Sequence, residues 1–276
     1  MTRRILCVGW LLVVGVFVGC QAPAPSIPTS RGNESEQSSV LSDRLDAPPG
    51  LAVLARPAPR AHLQEVGHSA YDLGYHESHE QAAWVAYVLE AEELVARAKR
   101  RDNFRSDPAV RTGSAELSDY RRSGFDRGHL APARDMAFSA RTMSESFFLS
   151  NMSPQVPAFN RGIWSRLERQ VRQWAKDEGS LVVVTGPIFN GRERKIGPNG
   201  VSVPHRFYKV ILDYEPPEVK AIGFILLNEG SSRPLSSFAV PVDEVERLTG
   251  LDFFAALPDY QEEQLESQDW SESFGR

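Results

Sequence analysis

Four apolar runs of five to seven residues constrain the fold of this chain more than any other feature. They are rich in β-branched and aromatic side chains and cover residues 84–89, 181–185, 207–212 and 221–227. Such runs are typical of β-strands. The turn-forming pairs Asn190-Gly191 and Asn199-Gly200 lie between the second and third runs, which favours strands joined by chain reversals. The sequence therefore predicts a mainly antiparallel sheet.

Two further stretches, 159–178 and 242–249, have the pattern of helices. The first carries an apolar stripe at helical spacing, formed by Ile163, Leu167, Val171 and Trp174. That stripe would pack one face of the helix on the sheet, and Gly179 would end the helix. The predicted fold class is therefore α+β, with a mainly antiparallel sheet flanked by helices.

The first 20 residues have the pattern of a targeting segment. Arg3 and Arg4 precede an apolar run that is too short for a comfortable membrane span. The run ends at Cys20, in a segment that resembles a bacterial lipobox. We predict a lipoprotein-type signal peptide over 1–20 and an exported protein, anchored to a membrane on its periplasmic or cell-surface side by a lipid on Cys20. The alternative is an ordinary signal peptide that is cleaved nearby.

Composition divides the rest of the chain into three parts. Residues 21–60 are rich in Pro, Ser, Ala and Glu, and such a segment predicts a disordered linker because it buries little apolar surface. Residues 61–258 have the pattern of one globular domain. Residues 259–276 are acidic and predict a solvated tail. Cys7 and Cys20 are the only cysteines, so the predicted domain has no internal disulfide.

The charge of the chain is unevenly distributed. The formal net charge is −5, but residues 97–172 contain 15 Lys or Arg and only eight Asp or Glu. The overall charge argues against a protein that coats a polyanion, whereas the local basic excess suits transient contact with phosphate groups. Arginines scattered over solvated helices would give the same count, so the excess alone does not define a site.

His129 is the first candidate catalytic residue. It lies in the segment Phe125-Asp126-Arg127-Gly128-His129-Leu130-Ala131-Pro132. Attack of water on a phosphodiester requires a general base, and an imidazole can serve as one. Gly128 permits a backbone that turns Arg127 and His129 toward one place, where the guanidinium can bind a phosphate oxygen. Four other histidines are given no role, and they are His62, His68, His76 and His79. His205 either faces the site or flanks a strand, and the second alternative is favoured.

Asn160 and Glu168 are the candidate metal-site residues. On a regular helix they would be ~80° apart around the axis and ~12 Å apart along it. That separation favours Asn160 as a direct ligand and Glu168 as an acceptor for water in the outer shell of the ion. A site with so few protein ligands suits Mg2+, which keeps several waters. The alternative is a capping Asn and a solvated Glu without a metal.

Three motifs in this region resemble those of a known family. They are Asp126-Arg127-Gly128-His129, Asn151-x-x-Pro154-Gln155 and Asn160-x-Gly162-x-Trp164-x-x-Leu167-Glu168. The pattern is similar to that of the DNA/RNA non-specific endonucleases, which are ββα-metal (His-Me finger) nucleases and include the mitochondrial endonuclease G group. The resemblance covers residues from about 71 to 258. It implies the ββα-metal fold and makes DNA and RNA the expected substrates.

The resemblance also implies roles for the core residues. His129 matches the general base, and Arg127 matches the arginine that contacts phosphate. Asn160 matches the sole protein ligand of Mg2+, for which Mn2+ can substitute. Glu168 matches the acidic residue that is hydrogen-bonded to metal-bound water.

Three further positions follow from the same resemblance. Asp126 matches a residue that holds the loop. Asn151 matches an asparagine near the site with a supporting role, and we expect it to contact substrate. The family also has an arginine shortly before its aromatic-x-x-Asp-Pro element. Asp102 stands at the aligned position, so the neighbouring Arg101 is the candidate for a catalytic, phosphate-binding arginine.

These residues predict an Mg2+-dependent endonuclease. The family resemblance implies that it cuts DNA and RNA with little sequence preference and leaves 5′-phosphates. Two alternatives remain open from the residues alone. One is a surface lipoprotein that binds nucleic acid without cutting it. The other is a phosphodiesterase for small or lipid substrates. The sequence indicates neither the oligomeric state nor the preference between DNA and RNA.

Overall fold

The computed structural model describes residues 50–215 and 218–275. The strands in chain order are β1 Gln64–Gly67, β2 Asp72–His76, β3 Gln81–Glu90, β4 Asp126–His129, β5 Met152–Gln155, β6 Ser180–Ile188, β7 Lys195–Ile196, β8 Val201–Ser202, β9 Arg206–Asp213, β10 Lys220–Leu227 and β11 Ala239–Val240. Each of the four apolar runs lies within one of the long strands β3, β6, β9 and β10, as the sequence predicts.

A seven-stranded sheet forms the centre of the fold. Its strand order is β1-β2-β3-β6-β9-β10-β11, and every neighbouring pair is antiparallel. Two smaller antiparallel pairs, β4-β5 and β7-β8, lie outside it. The predicted α+β fold with a mainly antiparallel sheet is therefore confirmed.

The helices flank this sheet. In chain order they are α1 Leu51–Leu54, α2 Leu117–Tyr120, α3 Ala140–Glu145, α4 Ser165–Glu178, α5 Val242–Thr249 and α6 Asp259–Ser267. Within the described residues, no helix has the length and apolar character needed to traverse a lipid bilayer. The predicted helix over 159–178 is interrupted: Phe159–Trp164 is a π-helical turn with non-helical backbone at Gly162, and α4 follows it.

Both faces of the sheet are buried, and the alternation along β6 shows how. Val183 points into one core together with Ile163, Leu167 and Val171 from the helical stripe. Its neighbour Val182 points into the other core with residues of α5 and α6, Val245 and Leu265 among them. Since successive side chains of a strand point to opposite faces, helices on both sides leave all nine residues of β6 buried.

The chain ends differ from the sequence prediction. The linker predicted over 21–60 does not extend through its described part, because Leu54 and Ala55 are buried in the second core. The apolar residues of α1 lie in a proline-rich segment, so the average composition of that segment did not indicate a buried helix. The prediction of a solvated tail is also wrong, because Leu265 of α6 is buried and Phe274 is only 2% exposed. Local acidity concealed a few apolar residues that reach the core.

We expect Phe274→Ala to lower the free energy of unfolding by about 3 kcal/mol, because the change removes a buried ring. That ring packs edge-to-face on Trp174 with centroids 5.2 Å apart. Tyr260→Ala is the control, since Tyr260 is 68% exposed in the same acidic segment and its loss should change stability by less than about 0.5 kcal/mol. Urea unfolding measures both, and equal effects would contradict the packed tail.

Candidate functional site

The hairpin β4-β5 and the broken helix that follows it form the framework of the site. In the hairpin, Gly128 pairs with Ser153 and His129 pairs with Met152. A Cβ atom at Gly128 would lie 2.1 Å from the side chain of Gln155, which is itself fully buried. Glycine is therefore required here by close packing, which brings the hairpin backbone against the Gln155 side chain.

Asp126 connects the hairpin to the π-helical turn. Its Oδ2 accepts a hydrogen bond from Asn160 Nδ2 at 2.9 Å, and its two oxygens accept bonds from Arg161 at 2.8 and 2.6 Å. Because the amide nitrogen of Asn160 donates to Asp126, its carbonyl oxygen remains as the group that can bind a cation. Burial raises the pKa of Asp126. The hydrogen bonds and the positive charges of Arg161 and Arg127 outweigh that effect, so the pKa is lowered.

His129 is buried against aromatic rings. Its imidazole lies edge-to-face on Phe147 with centroids 5.0 Å apart, and Phe104 is 5.9 Å away. The Nε2 atom is buried and has no hydrogen-bond partner among the described residues. Burial, followed by the positive charges of Arg100 and Arg127, lowers the pKa of His129 to about 3. The imidazole is therefore neutral at physiological pH and can accept a proton.

Two arginines lie over the same aromatic rings. The guanidinium of Arg127 is 4.1 Å from the Phe104 ring centroid, and that of Arg100 is 5.1 Å from the Phe147 ring centroid. Both side chains line the cleft beside His129. Stacking on a ring leaves the N–H groups of a guanidinium available to an anion.

Arg100, rather than Arg101, lines the cleft. Arg101 is exposed and does not line the cleft. Arg100 Nε donates to Asp102 Oδ1 at 2.6 Å, and Asp102 has a φ of 46°. Asp is one of the few residue types that tolerate this left-handed conformation. A gap-free comparison of motifs does not register this backbone conformation. Because Arg101 lies outside the cleft, its assignment is not supported.

Glu168 lies on the first turn of α4, above a group of buried charges. Burial raises the pKa of Glu168, and the ammonium of Lys209 on β9 opposes that rise. Asp135 accepts bonds from Arg172 at 2.7 Å and from the Tyr87 hydroxyl at 2.8 Å. The Glu168 carboxylate accepts no hydrogen bond from the described part of the chain and faces the cleft.

A single cleft brings most of the candidate residues together. It is lined by Arg100, Arg127, His129, Pro132, Ala133, Arg134, Asn160, Arg161, Ser165, Glu168 and Arg172. Five of these are arginines, so the cleft attracts an anion such as phosphate. The break at Gly162 explains why Asn160 and Glu168 reach one cleft, although a regular helix would separate them.

The donor set in this cleft fits a hard divalent cation. The Asn160 carbonyl and the Glu168 carboxylate both offer oxygen, which is the ligand atom that Mg2+ prefers. An ion with two protein donors at most would keep several waters, in agreement with the open cleft. The neutral His129 would stay beside the ion as a proton acceptor.

Asn151 has a structural position rather than a place in the cleft. It is fully buried; its Oδ1 accepts from Ala131 N at 2.8 Å, and its Nδ2 donates to Ala131 O and Ser146 O. These bonds hold the chain that follows His129. The structure does not support the expectation that Asn151 contacts substrate, because its polar atoms are satisfied inside the protein.

His68 is a supporting residue that the sequence analysis missed. Its Nε2 lies 2.9 Å from Asp107 Oδ2, and both side chains are buried. Ser150 donates to the same carboxylate, next to Asn151 in the chain. Only the aromatic-x-x-Asp-Pro motif around Asp107 marks this region in the sequence, and it gives no indication of the partner 39 residues away.

Comparison with known proteins adds relatives for nearly the whole described chain. The family model for DNA/RNA non-specific endonucleases matches residues 60–260. The chain is 33% identical over 258 residues to the mitochondrial nuclease of Saccharomyces cerevisiae, an alignment that covers 85% of this chain and 77% of the relative. It is 36% identical to human mitochondrial endonuclease G over 199 residues, 67% of each chain. Nuclease EXOG of Danio rerio is 37% identical over 206 residues, 68% of this chain and 60% of its own length.

A solved structure has the same fold. The crystal structure of the EndoG/EndoGI complex, which concerns the mechanism of EndoG inhibition, contains a chain that superposes with a TM-score of 0.70 at 31% identity. The match covers 77% of this chain and 95% of that one. The likeness confirms the ββα-metal fold.

The comparisons contradict the predicted localisation. We predicted a bacterial lipoprotein exported to a membrane, whereas the yeast, zebrafish and human relatives are mitochondrial nucleases. Residues 1–33 contain three arginines and no acidic residue. A basic, acid-free leader of this kind is shared by several targeting signals, so its composition did not decide the destination. The predicted lipid attachment at Cys20 lies outside the described residues.

We expect Gly128→Ala to lower the free energy of unfolding by about 2 kcal/mol, because the added methyl group collides with the buried Gln155 side chain. Gln155→Ala removes the side chain with which the methyl group collides. Gly128→Ala should therefore lower the free energy of unfolding less in the Gln155→Ala background than in the unmodified chain. Urea unfolding of all four proteins gives the coupling energy. Additive effects would contradict the close packing of the hairpin.

Proposed function

The chain belongs to the DNA/RNA non-specific endonuclease family, and from that premise we propose that it is an Mg2+-dependent enzyme that hydrolyses DNA and RNA with little sequence preference and leaves 5′-phosphates. Membership in the family and the nuclease relatives make it an endonuclease, a phosphodiester hydrolase. The proposed domain includes residues 61–258 together with the packed segments on either side.

The observation that carries the proposal is the His129 imidazole, whose buried Nε2 has no hydrogen-bond partner among the described residues, in a cleft lined by arginines. In the proposed reaction His129 takes a proton from a water molecule, and the water oxygen bonds to phosphorus opposite the 3′-oxygen. The bond between phosphorus and the 3′-oxygen breaks, and the leaving 3′-oxygen takes a proton from solvent.

A bound phosphodiester brings negative charge close to Arg100 and Arg127. Burial is the main cause of the lowered pKa of His129, and the two guanidiniums lower it further. The phosphate charge offsets the part due to the guanidiniums, so the imidazole becomes a stronger base with substrate present.

The other cleft residues bind and orient the phosphate. Arg127 and Arg100 would donate hydrogen bonds to its oxygens, held in place by Phe104 and Phe147. When bound, Mg2+ would neutralise charge on the phosphate and on the leaving oxygen. Asn160 would hold the ion through its carbonyl oxygen, and the Glu168 carboxylate would accept hydrogen bonds from its hydration shell.

The chemistry of the cleft also supports low sequence preference. Its charged groups are five guanidiniums and one carboxylate, and the guanidiniums can contact phosphate. Contacts to phosphate position a nucleic acid and carry no direct sequence information. The two alternatives are a protein that binds nucleic acid without cutting it and a phosphodiesterase for small substrates. Both would leave a long polymer intact, whereas the set of residues in the cleft favours its cleavage.

We expect His129→Ala to lower the rate of cleavage by on the order of 10²–10⁴, because the variant lacks the general base. The assay uses supercoiled plasmid and total RNA, with Mg2+ or with EDTA. His205→Ala is the control and should keep normal activity, since His205 lies outside the cleft. Near-normal turnover of the His129 variant would exclude it as the base. If the unmodified protein binds the polymer but leaves it intact, the proposed nuclease activity is contradicted.

Arg100→Ala should lower kcat/KM by on the order of 10², because it removes a guanidinium that stabilises charge on the phosphate. The neighbouring Arg101→Ala removes the same charge outside the cleft and should change kcat/KM by less than about twofold. The two variants differ by one position and have equal net charge, so the comparison separates contact from general electrostatics. Equal losses, or a larger loss in the Arg101 variant, would contradict the assignment.

A further inference from the structure

A second group of acidic side chains lies on the face of the sheet opposite α4. Asp243 and Glu246 belong to α5, and Glu266 belongs to α6. One carboxylate oxygen from each residue lies within 4.8 Å of the other two. The helices that carry these residues share the second apolar core, to which they contribute Val242, Val245 and Leu265. The three carboxylates therefore meet at the junction of two packed helices.

The negative charge at this junction is not balanced by the protein. Glu262 and Asp252 add their charges to the same place. Within residues 50–215 and 218–275, no Lys or Arg forms an ion pair with any of these five acids. The positive charge of Arg60 acts on Glu246, but its guanidinium donates a hydrogen bond to the carbonyl of Gly250. Carboxylates this close repel one another unless a cation or a proton lies between them.

The Glu266 side chain gives an independent indication of a ligand. Glu266 is only 5% exposed, and its Oε1 is buried without a hydrogen-bond partner in the described structure. A buried carboxylate oxygen without a partner is costly and uncommon in a folded protein. The same carboxyl group has an oxygen within 4.8 Å of oxygens of Asp243 and Glu246, so a cation bound among the three would lie beside the unpartnered atom.

The spacing of the oxygens agrees with coordination of a single ion. Ca2+ binds oxygen at about 2.3–2.6 Å, so two oxygens on the same ion are at most about 5 Å apart. The observed limit of 4.8 Å meets that condition. The donors are all carboxylates, which excludes the nitrogen and sulfur ligands that zinc prefers. Asp243 is exposed, which leaves room for water to complete an irregular shell of the kind that Ca2+ tolerates.

We propose that Asp243, Glu246 and Glu266 bind a calcium-class divalent cation, separately from the cleft, and that the ion joins α5 to α6. The cation replaces the missing positive charge and allows Glu266 to remain buried. It thereby stabilises the C-terminal helix on the sheet. The site has no part in the reaction, so its occupancy is measured through stability and binding rather than through cleavage.

The test uses the full chain with Asn160→Ala and Glu168→Gln, which remove the donors of the cleft. After treatment with EDTA, millimolar CaCl2 should raise Tm by about 3 °C or more, and equilibrium dialysis with radioactive calcium should show one bound ion. MgCl2 at the same concentration should have a smaller effect, because Mg2+ demands a regular octahedral shell.

Matched variants decide whether the ion binds at the junction. Glu266→Gln and the exposed Asp243→Asn should each abolish the calcium-dependent rise in Tm and the bound ion. Glu263→Gln, on the exposed face of α6, removes an equal charge and should retain both. The absence of calcium binding in the background chain would overturn the proposal. So would an unchanged response in the Asp243 and Glu266 variants, or equal responses to calcium and magnesium.

Discussion

The organisation of the site depends on the Asp126 carboxylate, which connects a strand of the hairpin to the turn before α4. It receives hydrogen bonds from Asn160 and Arg161. Arg161 is largely exposed, so its ion pair adds little to stability. The bond to Asn160 has a different consequence: it fixes which end of the amide faces the cleft. One carboxylate therefore orients a neutral oxygen donor that would otherwise be free to rotate.

Buried charges beneath the cleft form a second constraint. Lys209 is almost fully buried and lies 5.0 Å from the centroid of the Trp164 ring, while Asp135 pairs with Arg172. Buried charges are costly unless they are paired, and an apolar floor would pack at lower cost. Their arrangement instead keeps a positive charge near Glu168, which opposes the rise in its pKa caused by burial. The cleft is thus fixed by electrostatics as well as by apolar packing.

Much of the fold could be predicted because strand formation leaves a local pattern. The four apolar runs became β3, β6, β9 and β10, and the apolar stripe of α4 packs on the first core. The errors occur where packing outweighs local composition. Phe274 lies in an acidic segment yet reaches the core, and Leu54 lies beside prolines yet is buried. A few apolar side chains decide such segments, and averaging over a window conceals them.

The sequence by itself determined the chemistry available at the site: an imidazole, an arginine and a glycine in one short segment, followed by an amide and a carboxylate. The tertiary structure decided which groups meet. The break at Gly162 brings Asn160 and Glu168 to one cleft. Beside the left-handed Asp102, Arg100 lines that cleft and Arg101 does not. Packing of α5 on α6 assembled the acidic junction. The physical reason is that periodicity specifies which face of an element is buried, whereas neighbours distant in sequence depend on backbone breaks and on helix packing.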